Sequence, residues 1–152
     1  MHKIIIFTYL FFLNSFYSHG HDYSKAGIKI DHPVLQVVKL NSKVGAGYMN
    51  IINNTKKKVK LLDIEASIAK TQEIHEIILD NDVYKMRPIK DGVPIMSNEK
   101  LEFKSKSYHF MFFDINKNLK EDEMLEAKLI FNDNIIIPIK FKVVIGFKDH
   151  NH

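Results

Sequence analysis

His75 and Met86 stand with ten residues between them across a run of turn formers, and His109 and Met111 stand two apart in an apolar stretch. Imidazole nitrogen and thioether sulfur are neutral donors. The chain has no cysteine, so a soft-metal site has to use such groups. Two His and two Met make an N2S2 set that suits Cu(I) better than Zn(II), Mg(II) or Ca(II), which take harder or anionic ligands. A thioether needs no deprotonation before it binds. It also cannot be lost to a disulfide in an oxidising compartment. Only the two imidazoles compete with protons, near a reference pKa of about 6.5.

These spacings matter only if the backbone brings the residues together. Short alternating or continuous apolar runs recur along the chain with turn signals between them, and no stretch holds a helical period. The pattern predicts strands at 27–30, 35–40, 45–52, 59–66, 72–79, 83–87, 100–103, 108–114, 125–131 and 135–145. Turn chemistry separates them at Asn53-Asn54-Thr55, Asp80-Asn81-Asp82, Lys90-Asp91-Gly92, Asn116-Lys117-Asn118 and Asn132-Asp133-Asn134. Eight to ten short strands predict one all-β domain, a two-sheet sandwich with Greek-key connections, with helix limited to a single turn. Pro138 lacks a backbone donor, so the last strand should be an edge or carry a bulge there.

A two-residue loop at Asp80-Asn81 would set His75 directly against Met86, with Cβ atoms about 4.5 to 5.5 Å apart. A three-residue loop would spoil that pairing. In the 108–114 strand, Ser107, His109, Met111 and Phe113 point one way, and Tyr108, Phe110 and Phe112 the other. The aromatic face belongs in the core. His109 and Met111 are then side by side on the opposite face, about 6.5 to 7 Å apart between Cα atoms.

A Met in a β protein is usually core filler, and an isolated His is usually a surface or satisfied residue. Spacing alone leaves both a metal site and plain packing open. Glu76 and Arg87 alternate away from His75 and Met86; Arg87 can anchor the hairpin through a carboxylate. Tyr48 and Met49 read as edge and core residues of another strand, and Met96 and Met124 as incidental. His21, His150 and His152 sit at the two ends, either as an auxiliary Cu(II) site or as solvated side chains.

At the N-terminus, Lys3 precedes an apolar run at 4–13, and Ser18 and Gly20 supply small residues at the −3 and −1 positions. This reads as a secretory signal at 1–20, cleaved after Gly20. The run is too short to span a bilayer core of about 30 Å as a helix, so no stable membrane insertion is expected once it is removed. Residues 21–152 then form the single domain, with a polar tail. The formal charge is +4, but the lysines are interspersed with acids and Arg87 is the single arginine, which argues against nucleic acid. No enzyme is expected: there is no cysteine nucleophile, no Gly-x-Ser-x-Gly elbow and no Gly-rich phosphate loop. A blue-copper electron carrier would need a Cys thiolate.

Gly45-Ala46-Gly47-Tyr48-Met49, His75-Glu76, Val83-Tyr84-Lys85-Met86-Arg87-Pro88, His109-Phe110-Met111 and Leu119-Lys120-Glu121, in this order, resemble the periplasmic copper chaperones called PCuAC. That family is a cupredoxin-like β-sandwich. The likeness runs from about Gly45 to Val144. Its motif is a His, ten residues, a Met, about twenty-one residues and His-x-Met; twenty-two separate Met86 from His109 here, with the extra residue in the 90–98 loop, where length is tolerated.

The resemblance implies one Cu(I) per chain, held by His75, Met86, His109 and Met111 and handed to a partner in the periplasm. That partner would be the copper subunit of cytochrome c oxidase or another copper chaperone. The alternative is an exported β-sandwich binding or assembly module without metal, in which the four residues merely pack.

Overall fold

Eleven strands and no helix make up residues 21–146, the part of the computed structural model described. They are β1 (Tyr23–Lys25), β2 (Ile28–Val37), β3 (Val44–Asn53), β4 (Val59–Glu65), β5 (Ala69–Asp80), β6 (Val83–Pro88), β7 (Val93–Ile95), β8 (Lys100–Phe103), β9 (His109–Ile115), β10 (Met124–Phe131) and β11 (Ile136–Ile145). The leader expected at 1–20 and the C-terminal histidines His150 and His152 lie outside the described residues. Among the described residues, no helix is long and apolar enough to cross a membrane.

The hydrogen-bonded order is β6-β5-β9-β3-β2-β11-β10-β4-β7, with β1 beside β2 and β8 beside β3. Pairing is antiparallel except between β11 and β2. Alternation of side chains explains the layering: β10 and β11 bury every second residue, and so does most of β3. The sheet folds over, so that β9 faces β11 although the two are not hydrogen-bonded neighbours. Phe110 and Phe112 are fully buried and meet the ring of Phe141 edge-on, at 6.3 and 5.5 Å between centroids. Each such side chain contributes about 1.5–3 kcal/mol through burial. Gly47 of β3 lies where the three rings converge: a Cβ there would stand 3.0 to 3.1 Å from Phe112, Phe110 and Phe141.

Two local readings change and one holds. The segments expected as separate strands at 27–30 and 35–40 are one strand, β2, which stops short of Leu40. Its pairing with β3 shifts between Asp31 and Val34, where His32 has a left-handed φ of 50° and Pro33 follows. A bulge there absorbs a residue without a donor and keeps the strand running. β1 and β7, three residues each, were not expected, because three residues are too few to show alternation. Pro138 sits in a part of β11 that pairs with β10, whereas β2 pairs only from Lys142 onward. The strand is therefore edge-like at the proline, as its missing donor requires.

Candidate metal centre

The β5–β6 hairpin closes on Asn81 and Asp82, with φ of 50° and 62°, so Asp80 pairs with Val83. Two successive left-handed residues match the twist of the flanking strands, and Asn and Asp tolerate that region better than other side chains. The loop expected at Asp80-Asn81 is thus displaced. His75 pairs with Pro88, not with Met86, and Met86 pairs with Ile77. Each partner moves by two residues. An even step preserves the face, since only odd slips turn side chains over.

On its other side β5 meets β9, with His75 opposite His109, Glu73 opposite Met111 and Thr71 opposite Phe113. Opposed residues share a face. Three adjacent strands therefore bring His75, Met86, His109 and Met111 to one side of the sheet, while Phe110 and Phe112 fill the core behind it. The two imidazoles are 5.7 Å apart between centroids, and His109 Nε2 lies 3.1 Å from Met86 Sδ. Met111 is half-buried on the same face, two residues beyond His109.

The ring nitrogens can be assigned from their partners. The Ser107 carbonyl, 3.0 Å from His109 Nδ1, can only accept, so Nδ1 carries the hydrogen and donates. In the neutral ring Nε2 is then left as a lone pair, and it faces the lone pairs of the Met86 sulfur. Burial holds the His109 pKa below its usual value; the Ser107 carbonyl works against that, and His75 nearby adds to it. The neutral ring is favoured.

His75 Nε2 is 2.6 Å from a Glu73 carboxylate oxygen. A carboxylate accepts, so Nε2 donates. His75 Nδ1 is buried with no hydrogen-bond partner. Each imidazole thus has one nitrogen committed as donor and one that carries no proton, its lone pair free to bind.

Exposure differs sharply across the group. His75 and His109 are each 6% exposed, whereas Met86, on the wholly exposed strand β6, is 49% exposed. The imidazoles lie beneath the surface, and the Met86 side chain stands half in solvent above them. Among the described residues, no three or more His, Cys, Asp or Glu are placed to hold a metal. Any ion here would need the thioethers, and the free His109 nitrogen beside the Met86 sulfur, with the unpartnered Nδ1 of the neighbouring His75, is a donor set that fits Cu(I).

Other residues fall where alternation puts them. Arg87 and Glu76 are opposed on the reverse face, and Asp80 takes Lys85 at 2.6 Å and Arg87 at 4.0 Å. Met49 is core. Tyr48 is half-buried, and burial raises its phenol pKa. Met96 is exposed after β7, Met124 opens β10, and His21 is exposed at the start of the described residues.

Three participants were not singled out in the sequence. Glu73 had a signal, since it precedes His75 by two residues and so shares its face. Phe113, whose ring lies 6.2 Å from that of His75, had the same alternation. The Ser107 carbonyl had none, because it is a backbone group.

The solved copper-bound PCuAC domain from PmoF2 matches with a TM-score of 0.68 at 18% identity, over 82% of this chain and 98% of that one. Apo-DR1885 from Deinococcus radiodurans matches with a TM-score of 0.61 at 14% identity, over 94% of this chain and 95% of that one. At such identities these likenesses establish the fold, all-β and cupredoxin-like. The uncharacterized protein RP573 of Rickettsia prowazekii (strain Madrid E) is 30% identical over 98 residues, which is 64% of this chain and 54% of RP573. The chain therefore spans about half the length of that curated relative. The LpqE-like family, described as "Putative lipoprotein LpqE-like", matches residues 28–143, from the first residue of β2 to two residues before the end of β11. With most of the described sheet inside that match, the chain belongs to the LpqE-like family.

Proposed function

We propose that this protein is an exported copper carrier that binds one Cu(I) through His75, Met86, His109 and Met111 and passes it to another protein. One observation carries the reading: His109 Nε2 and Met86 Sδ, both acceptors, face each other at 3.1 Å. Two lone pairs at that distance repel, and a soft cation shared between them turns the repulsion into two bonds. The orphaned Nδ1 of His75 supports it, since a buried nitrogen without a partner costs about 1–3 kcal/mol unless something binds it.

The chemistry is transfer rather than catalysis. All four donors are neutral, so release needs no proton, and the exposed Met86 lets an incoming ligand replace the donors one at a time. The family's lipoprotein description supports export, and the periplasm is the proposed compartment. The fold shared with a copper-bound domain favours the same reading. The proposed recipient is the copper subunit of cytochrome c oxidase or another copper chaperone.

Competition against a Cu(I) chelator under reducing conditions tests the site. Wild type should take up one Cu(I) per chain, and a Met86→Ala/Met111→Ala double variant should lose most of its affinity. Equal affinity in the two proteins would refute the assignment. X-ray absorption should show a mixed nitrogen and sulfur shell; a shell of nitrogen and oxygen alone would sink it.

A further inference from the structure

We infer that Glu73 is the positioning residue of this centre: its carboxylate holds the Nε2 hydrogen of His75 and so makes Nδ1 the atom through which His75 binds metal. The inference rests on the Cu(I) reading above and goes beyond it, because it names the binding atom and the group that selects it. The geometry is specific. Glu73 Oε2 is 2.6 Å from Nε2, as short as a hydrogen bond to an ionised acceptor becomes. The imidazole is 6% exposed, so its hydrogens cannot be shared freely with water.

A hydrogen on Nδ1 would be buried without an acceptor, while the same hydrogen on Nε2 meets a carboxylate. The Nε2–H form is therefore the stable neutral ring, and its free lone pair is on Nδ1. His109 is set the opposite way: the Ser107 carbonyl takes the Nδ1 hydrogen and Nε2 is free. The two histidines present different nitrogens because different acceptors hold them. This is the arrangement in which a ligating histidine donates its second N–H to a carboxylate or carbonyl, fixing ring orientation and making the binding nitrogen more basic.

Glu73 adds a second consequence through its charge. Two imidazoles and two thioethers are neutral, so a bound Cu(I) leaves the centre at +1. A carboxylate one hydrogen bond away brings the group to zero, which lowers the penalty of holding a cation among half-buried side chains. A divalent ion would keep a residual charge. Glu73 also stands opposite Met111 in the β5–β9 register, so it reaches His75 from the Met111 side without occupying the Met86 side, where exchange would occur.

The test begins with the metal-free chain labelled at histidine nitrogen, in which long-range proton–nitrogen NMR distinguishes the protonated nitrogen of each ring. His75 should show Nε2 protonated and Nδ1 free, and adding Ag(I), a redox-inert stand-in for Cu(I), should shift Nδ1. Glu73→Ala should mix the two His75 ring forms and weaken Cu(I) binding by about 10–100-fold. Glu73→Gln keeps an acceptor and loses the charge; it should retain the Nε2–H form and weaken binding less.

A free Nε2 in the wild-type ring, an Ag(I) shift at Nε2 of His75, or unchanged ring form and affinity in Glu73→Ala would each overturn the inference. An oxygen scatterer that disappears in Glu73→Ala would make Glu73 a ligand and overturn it too. Failure of wild type to bind Cu(I) would instead refute the copper reading, and the metal-free NMR arm separates the two.

Discussion

Replacing Met86 by leucine separates what the sulfur does for metal from what the side chain does for folding. Leucine is similar in size and apolar, and such volume-conserving exchanges cost less than about 1.5 kcal/mol even in cores. Met86 is 49% exposed, so the metal-free penalty should be well below that. Loss of the sulfur also removes an acceptor that faces the His109 lone pair at 3.1 Å, which offsets part of it. The melting temperature of the metal-free variant should therefore stay within about 3 °C of wild type, at roughly 4 °C per kcal/mol for a domain of this size.

Metal changes the comparison. With free Cu(I) buffered at about 100 times the wild-type Kd, binding stabilises the fold by about 2.7 kcal/mol, or about 10 °C. If losing one of four donors weakens binding about 100-fold, free Cu(I) only matches the variant's Kd and the gain falls to about 0.4 kcal/mol, under 2 °C. Calorimetry of both proteins with and without a chelator-buffered Cu(I) supply reads this directly. A full wild-type shift in the leucine variant would show that the Met86 sulfur binds nothing. A metal-free loss above about 3 kcal/mol would show that the exposed side chain had been structurally misjudged.

The pH dependence of the metal-free protein has a definite sign. Burial lowers the His109 pKa in the folded state, so the unfolded chain binds the proton more readily; this contribution to stability is complete above the unfolded value of about 6.5 and declines as pH falls below it. Melting curves from pH 8 to 5 should show that decline, and His109→Gln should flatten it. At the hairpin, Asp82 has a φ of 62°, so Asp82→Gly should stabilise by up to about 1 kcal/mol and Asp82→Val should destabilise by more, both read by urea unfolding. Gly47→Ala would place a methyl 3.0 to 3.1 Å from three rings, and overpacking of that kind should cost about 1–3 kcal/mol; an unchanged denaturation midpoint would mean that the rings give way freely.

Much of this centre is legible in residue types and alternation. With no cysteine, the soft donors had to be His and Met, and the two-residue period put Phe110 and Phe112 on one face of β9 and His109 and Met111 on the other, because a core accepts the rings far more readily than the imidazole. The hairpin register was not legible. Asp80-Asn81 and Asn81-Asp82 are equally good turn dipeptides, and the choice between them rests on how the whole strand pair twists and on what β5 meets across β9.

Tertiary structure also decided the contacts that matter chemically: His75 opposite His109, Met86 reaching His109 from the neighbouring hairpin strand, and a backbone carbonyl at Ser107 orienting a ring. These depend on lateral strand order, and strand order follows from burying two sheet faces against each other. The linear sequence constrains that only through the sum of many weak preferences. The donors were therefore readable one by one, while their protonation pattern, set by Glu73 and Ser107, belongs to the folded sheet alone.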